Sequence, residues 1–226
     1  MEFTPARFGN SLLPMRVLVT AGPTREPIDA VRFITNASSG RMGFAVARAA
    51  ARAGHQVTLL AGPVAEPPPK GCRVVHFQTV AELKAAVDEH FDACDALVMA
   101  AAVGDFRPER VRPGKISRSG GPVTLRLVPT EDVLAGLARR KRKGQIIVAF
   151  AMEAGPEGEI EAKARAEMAA KGADFLVLNT PAAMAAESSR ACILTPSGQA
   201  LPWGQRTKDE LASEISALLG QFGSVP

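Results

Sequence analysis

From Arg16 onward, short β-branched runs alternate with alanine-rich helical stretches, which predicts an α/β protein made of βαβ units on a mainly parallel sheet. The runs are almost continuously apolar, as strands covered on both faces must be. A late segment, Ala191–Trp203, with Pro196-Ser197-Gly198 at its middle, predicts a β-hairpin appended at the sheet edge. At 226 residues the chain is long enough for one large core and too short for three domains.

Met1–Pro14 lacks the apolar stretch of a leader and reads as a flexible arm ahead of a single domain over residues 15–226. Strands are predicted at Val17–Ala21, Val57–Ala61, Val74–Phe77, Ala96–Ala101, Val123–Val128, Ile146–Ala151 and Phe175–Leu178. Helices are predicted at Arg41–Ala53, Ala81–His90, Glu131–Lys143 and Glu159–Lys171, and a last one begins after Thr207 and stops at Gly220. Thr79 with Glu82, and Thr207 with Glu210, have the spacing of capping boxes. Asp105–Gly121 carries two prolines, three glycines and five lysine or arginine residues, and reads as a basic loop between strands.

Composition narrows the chemistry. Twenty-seven basic against twenty-three acidic residues leave a net charge of +4, as suited to phosphorylated small molecules as to nucleic acid. The run Arg139–Lys143 sits at a predicted helix end, where the dipole favours cations, and no aromatic residues interleave for base stacking, so nucleic acid is not expected. Cys72, Cys94 and Cys192 are odd in number and widely spaced, and His55, His76 and His90 stand apart, so neither disulfides nor a protein-held metal is expected. No apolar run approaches the roughly 20 residues of a membrane span, and a cytoplasmic location is expected.

The segment Val17–Gly43 is the most informative. A strand ends at Thr20-Ala21-Gly22, and Ser38-Ser39-Gly40-Arg41-Met42-Gly43 opens a helix whose free amides suit a phosphate. Two features argue against a dehydrogenase. The strand Val57–Ala61 ends in Gly62-Pro63 without an acid for a ribose hydroxyl, and the chain has no tyrosine for a Tyr/Lys proton relay.

AGPTREPIDAVRFITNASSGRMG, followed by AAVGDFRPERVRPGKI and AFAME, resembles the phosphopantothenate–cysteine ligase family, which in many bacteria is the C-terminal half of a bifunctional coenzyme A biosynthesis flavoprotein. The likeness extends over about Arg16 to Phe222. No flavin-binding decarboxylase segment precedes it, so the expectation is a stand-alone ligase or an excised half. The resemblance implies a doubly wound, Rossmann-like domain, a homodimer, and the joining of 4′-phosphopantothenate to L-cysteine through an acyl-nucleotidylate with release of pyrophosphate. CTP is the implied nucleotide and ATP the alternative, Mg²⁺ accompanies the triphosphate, and a separate phosphopantothenoylcysteine decarboxylase is a potential partner.

The same resemblance carries roles onto individual residues. Asn36 and Lys115 are the implied catalytic pair, and Arg32, Ala101 and Ala102 the implied contacts to the acyl substrate. Nucleotide contacts fall on Gly22, Ser38, Ser39, Gly40, Met42, Gly43, Asp105, Lys115, Thr130, Glu131, Asp132, Val133, Phe150 and Lys171. Thr130 also reads as the N-cap of the helix over Glu131–Lys143. Ser117, Arg118 and Glu167 replace family lysines, with Lys163 or Arg165 as candidate compensation for the last. The basic loop is expected to order when nucleotide binds.

Overall fold

The computed structural model describes residues 14–118, 121–183 and 186–222, so all of the predicted arm but the exposed Pro14 lies outside the described residues. The elements run β1 (Arg16–Ala21), β2 (Arg25–Pro27), β3 (Phe33–Thr35), α1 (Arg41–Arg52), β4 (Gln56–Ala61), β5 (Cys72–His76), α2 (Val80–Phe91), β6 (Ala96–Met99) and β7 (Phe106–Pro108). There follow β8 (Leu127–Pro129), α3 (Leu137–Arg140), β9 (Ile146–Met152), α4 (Glu157–Lys171), β10 (Phe175–Asn179), β11 (Ser188–Thr195), β12 (Gly198–Thr207) and α5 (Lys208–Phe222).

Eight strands form one sheet in the order β12-β11-β10-β9-β6-β1-β4-β5. The six from β10 to β5 pair in parallel, and β11 and β12 close the edge antiparallel. The chain winds from β1 outward through β4 and β5, then returns to build β6, β9 and β10 on the other side. That reversal opens a crevice at the carboxyl ends of β1 and β6, the place where a doubly wound sheet receives ligands.

Alternation along β1 divides the core. Val17, Val19 and Ala21 face α1 and α5 through Phe44, Leu211, Ile215 and Leu219. Leu18 faces the opposite layer, where Leu83 and Phe91 of α2 meet Ile160 and Met168 of α4. Both predicted capping boxes are formed. Thr79 Oγ1 accepts from Glu82 N while the Glu82 carboxylate takes Thr79 N, and Thr207 and Glu210 repeat the exchange.

Four expectations are corrected. The predicted strand Val123–Val128 is irregular up to Leu127, and β8 pairs with β7 in a separate two-stranded ribbon, not in the central sheet. The predicted helix Glu131–Lys143 shrinks to α3, because Asp132 Oδ1 caps a tight turn at Leu134 N (2.9 Å) and Gly136 adopts φ +85°, a break no helix propagates through. The predicted hairpin is longer, Ser188 to Thr207, and belongs to the main sheet. Gly220 does not end α5, which continues to Phe222. A second ribbon, β2 with β3, was unannounced because strands of three residues that include Pro27 leave no periodic trace.

Candidate active site

The loops after β1, β6 and β8 are stitched across the crevice by backbone and hydroxyl groups. Ala102 N donates to Gly22 O (2.9 Å), and Thr24 N returns the bond to Ala102 O (3.2 Å). Thr20 Oγ1, buried in the sheet, accepts from Ala101 N (3.0 Å) and so ends β6 at Met99. Thr24 Oγ1 accepts from Gly104 N (2.9 Å), and Thr130 Oγ1 donates to Gly104 O (2.6 Å). Thr130 is therefore no helix N-cap. Its hydroxyl closes the mouth of the loop that leaves β6.

This stitching leaves a cleft of about 280 Å³ lined by Ala101, Asp105, Thr130, Glu131, Asp132, Val133, Phe150 and Lys171, with Met99, Val103 and Leu134 completing it. Eight of the predicted site residues, from four separate stretches of chain, thus share one cavity. Phe150 is half-buried, one side against the core under α1 and one toward the cleft. The carboxylate of Asp105 is exposed and has no partner among the described residues. Lys171 Nζ is held by Glu167 Oε1 at 2.6 Å, so the acid that replaces a family lysine sits on the cleft's own cation. Neither expected compensator faces the cleft, since Lys163 pairs with Glu153 (2.7 Å) and Arg165 donates to the carbonyls of Thr195 (2.7 Å) and Gly198 (3.1 Å).

The glycines of the first loop bring backbone segments together. Gly22 and Gly40 both have positive φ, and a Cβ on Gly40 would stand 3.2 Å from Gly22 Cα and 2.9 Å from Val64 Cγ1. A Cβ on Gly43 would meet Ala21 Cβ at 2.5 Å and Thr20 O at 2.7 Å, which presses the start of α1 onto β1. Met42 packs against the core beside them. Ser38 Oγ accepts from Gly40 N (3.3 Å), and the first turn of α1 contains no acid. Ser38 and Ser39 line a shallow depression with Arg41, Pro63 and Val64, apart from the cleft that holds Asp105 and Lys171.

Asn36 connects the hairpin to the crevice. Its Nδ2 donates to Val103 O (2.9 Å), which leaves the second N–H and Oδ1 without partners among the described residues. Arg32 is exposed, but its guanidinium is held in place. Its Nε donates to Asp29 Oδ2 (2.9 Å), and its Nη2 donates both to that oxygen and to Ile116 O (3.0 Å). The Arg32 guanidinium and the Ile116 amide hold the Asp29 carboxyl well below the usual carboxylate range. Lys115, next in the chain to Ile116, is exposed and makes no ion pair among the described residues. Within the basic loop, Ile116 is thus fastened through both its backbone groups to Asp29 and Arg32.

Asp29 and Thr24 carry this architecture and were not singled out from sequence, because their partners lie 87 and 80 residues further on. The thiols are remote from it. Burial pushes Cys94 up to about 11 and Cys192 up to about 12, which leaves both protonated and inert at neutral pH. Among the described residues no three His, Cys, Asp or Glu side chains converge as a metal site, and no helix is long and apolar enough to cross a membrane.

Comparison with known proteins places these features. A family model described as DNA/pantothenate metabolism flavoprotein C-terminal domain matches residues 12–222. The coenzyme A biosynthesis bifunctional protein CoaBC of Mycobacterium tuberculosis is 45% identical over 211 residues, 88% of this chain and 50% of that protein. The chain spans about half the length of the curated relatives it matches. A crystal structure of the C-terminal domain of a CoaBC protein superposes with a TM-score of 0.77 at 32% identity, over 94% of this chain and 97% of that one. A Cab2 mutant in complex with phosphopantothenate-cysteine shares the fold, with a TM-score of 0.74 at 18% identity over 92% and 87% of the two chains.

Proposed function

The chain belongs to the family of DNA/pantothenate metabolism flavoprotein C-terminal domains, and from that premise we propose that residues 15–226 form a phosphopantothenate–cysteine ligase domain acting in coenzyme A biosynthesis in the cytoplasm. The observation that carries the reading is the cleft at the carboxyl edge of β6 and β9, next to the β1/β6 point where the winding of the sheet reverses, which gathers eight family-matched positions.

The proposed sequence has two steps. The carboxylate of 4′-phosphopantothenate attacks the α-phosphate of CTP, or of ATP, to give an acyl-nucleotidylate and pyrophosphate; the amine of L-cysteine then displaces the nucleotide and forms the amide. The cleft receives the base beside Phe150 and Asp105. Lys115 and Lys171 neutralise the phosphates, and the open amides at the start of α1, with Ser38 and Ser39, hold anionic oxygen. Arg32 meets the acyl substrate, whose chain approaches the backbone at Ala101 and Ala102. Asn36 has one N–H fixed on Val103 O and the other free for the oxyanion that forms as cysteine attacks. Bound Mg²⁺ would be held by the phosphate oxygens and would spread their charge.

A homodimer belongs to the same proposal. Val31, Phe33, Phe106, Val111 and Leu127 are exposed on the two ribbons beside the site, an apolar surface that a second copy of the chain would cover. Sedimentation should give a dimer, and Phe106→Asp should shift it toward monomer.

The deciding experiment supplies CTP or ATP with Mg²⁺ and measures pyrophosphate. Release should require phosphopantothenate, and amide product should require cysteine as well. Nucleotide binding without pyrophosphate release from either triphosphate would replace the ligase by a binding protein of the same fold.

A further inference from the structure

Asp29 lies in the turn between β2 and β3, 4% exposed, with no side-chain area open to solvent. Its two oxygens have different partners. Oδ1 accepts from Val31 N (2.8 Å) and Arg32 N (2.8 Å), which is all that the turn requires. Oδ2 accepts from the Arg32 guanidinium and, across 87 residues of chain, from Ile116 N (3.0 Å). Arg32 Nη2 completes the ring by donating to Ile116 O (3.0 Å), so both backbone groups of Ile116 are gripped by one carboxylate–guanidinium pair. A second bond, Arg112 N to Ile28 O (3.0 Å), fastens the other side of Pro113-Gly114-Lys115.

The loop is also tied at its start, where Glu109 N donates to Arg126 O (3.0 Å). Residues 109–115 are all exposed, so apolar burial does not anchor it. A buried carboxylate is tolerated only with charged and hydrogen-bonded partners, and here one of the five hydrogen bonds it accepts comes from the residue after Lys115.

We propose that Asp29 is a positioning residue, a clamp that sets the Lys115 ammonium and the Arg32 guanidinium at a fixed spacing. The proposal rests on the ligase reading for its consequence: with the clamp closed, the cation for the triphosphate and the cation for the acyl substrate are held together before either ligand arrives, which lowers the entropic cost of bringing the two reactants into line. Arg32 Nη1, without a partner among the described residues, is left to meet substrate while its other nitrogens set its direction.

The test uses Asp29→Asn, in which the amide oxygen can still serve the turn while the amide nitrogen faces the donors on Ile116 and Arg32. Tryptic cleavage within residues 110–118 of the protein without added nucleotide should accelerate about tenfold or more, the population change expected from losing charge-assisted bonds. Ile116→Pro, which deletes the donor from the loop side and leaves the hairpin untouched, should do the same. Pyrophosphate release should lose kcat, and Asp29→Asn should cost less when added to Lys115→Gln than it costs alone, the remainder coming from Arg32. Unchanged cleavage in both variants, or losses that multiply in the double variant, would overturn the clamp. A wild-type protein that released no pyrophosphate would refute the ligase reading, and the cleavage comparison would still decide whether the clamp exists.

Discussion

The two ends of the central sheet each carry a bonded carboxylate, and they use it differently. At the amino end Asp95 accepts from Arg16 N (2.8 Å), Nε (3.2 Å) and Nη2 (2.7 Å), while Arg142 and Gln145 donate to Cys94 O at 2.6 and 3.0 Å. Arg16 starts β1, Asp95 and Gln145 directly precede β6 and β9, and Ile146 N already donates to Asp95 O (3.0 Å). At the carboxyl end Asp29 joins a three-residue ribbon to a loop that has no ladder of its own. One network reinforces order that the sheet supplies; the other creates order where the sheet has ended. Groups without partners among the described residues accumulate at the second end: Lys115, the Asp105 carboxylate and Asn36 Oδ1. Stability and chemistry are therefore separable by position along the strands.

The sharpest way to break that separation is Lys115→Gln. On the ligase reading it should lower pyrophosphate release by a hundredfold or more, about 3 kcal/mol in the barrier, as the loss of a charge-stabilising group does. As an exposed cation without a partner among the described residues, it should leave the melting temperature almost unchanged. Asn36→Asp should instead form the acyl-nucleotidylate and stall, because a carboxylate would face the oxyanion of the second step. Single-turnover mass spectrometry separates the two, and accumulation of intermediate in Lys115→Gln would reverse the assignment.

Gly43→Ala tests the joint between the two ends. The added methyl would lie 2.5 Å from Ala21 Cβ, with backbone behind it, so α1 must move off β1. Overpacking of this kind costs about 1–3 kcal/mol, and the displacement falls on Ser38–Gly43, so stability and nucleotide affinity should drop together. A loss of stability with affinity intact would show that the helix start does not hold phosphate.

Asp95→Ala is the counterpart at the amino end. Partial exposure of the Arg16–Asp95 pair limits the expected loss to about 1 kcal/mol in denaturant unfolding. The kcat of ligation should stay within a factor of two, because nothing at this end reaches the cleft. A large fall in kcat would mean that the two ends communicate through β6.

How far the sequence could be read follows the same division. The parallel core was legible because strands buried on both faces write continuous apolar runs, and the starts of α2 and α5 because a capping box is local, Thr79 with Glu82 and Thr207 with Glu210. Cleft residues such as Asp105 and Phe150 were legible only through their motifs. The clamp was not, since nothing near Asp29 foretells Ile116. The helix expected over Glu131–Lys143 failed at Gly136, where a backbone preference overrode composition. The basic run behind it is absorbed by Arg140 on Asp88 and Asp92, Lys141 on Asp174, and Arg142 on Cys94 O.

The smallest expected effect concerns pH and again lies at the amino end. His55 is 5% exposed; its Nδ1 accepts from Met15 N (3.2 Å), and its Nε2 is buried without a partner among the described residues. Burial lowers its pKa, because protonation would put a charge in an apolar site and turn the Nδ1 acceptor into a donor facing another donor. The unfolded chain takes up a proton near the ordinary histidine value of about 6.5 while the folded chain resists it. Stability from this group is therefore complete above that pH and is lost as the pH falls toward the lower folded value. His55→Asn keeps an acceptor for Met15 N and cannot titrate, so its melting temperature should fall less than that of the wild type between pH 7 and about pH 5.5. Parallel melting curves for the two proteins across that window would remove His55 from the account and leave the depressed carboxylates, Asp95 and Asp88 among them, as the groups that set acid stability.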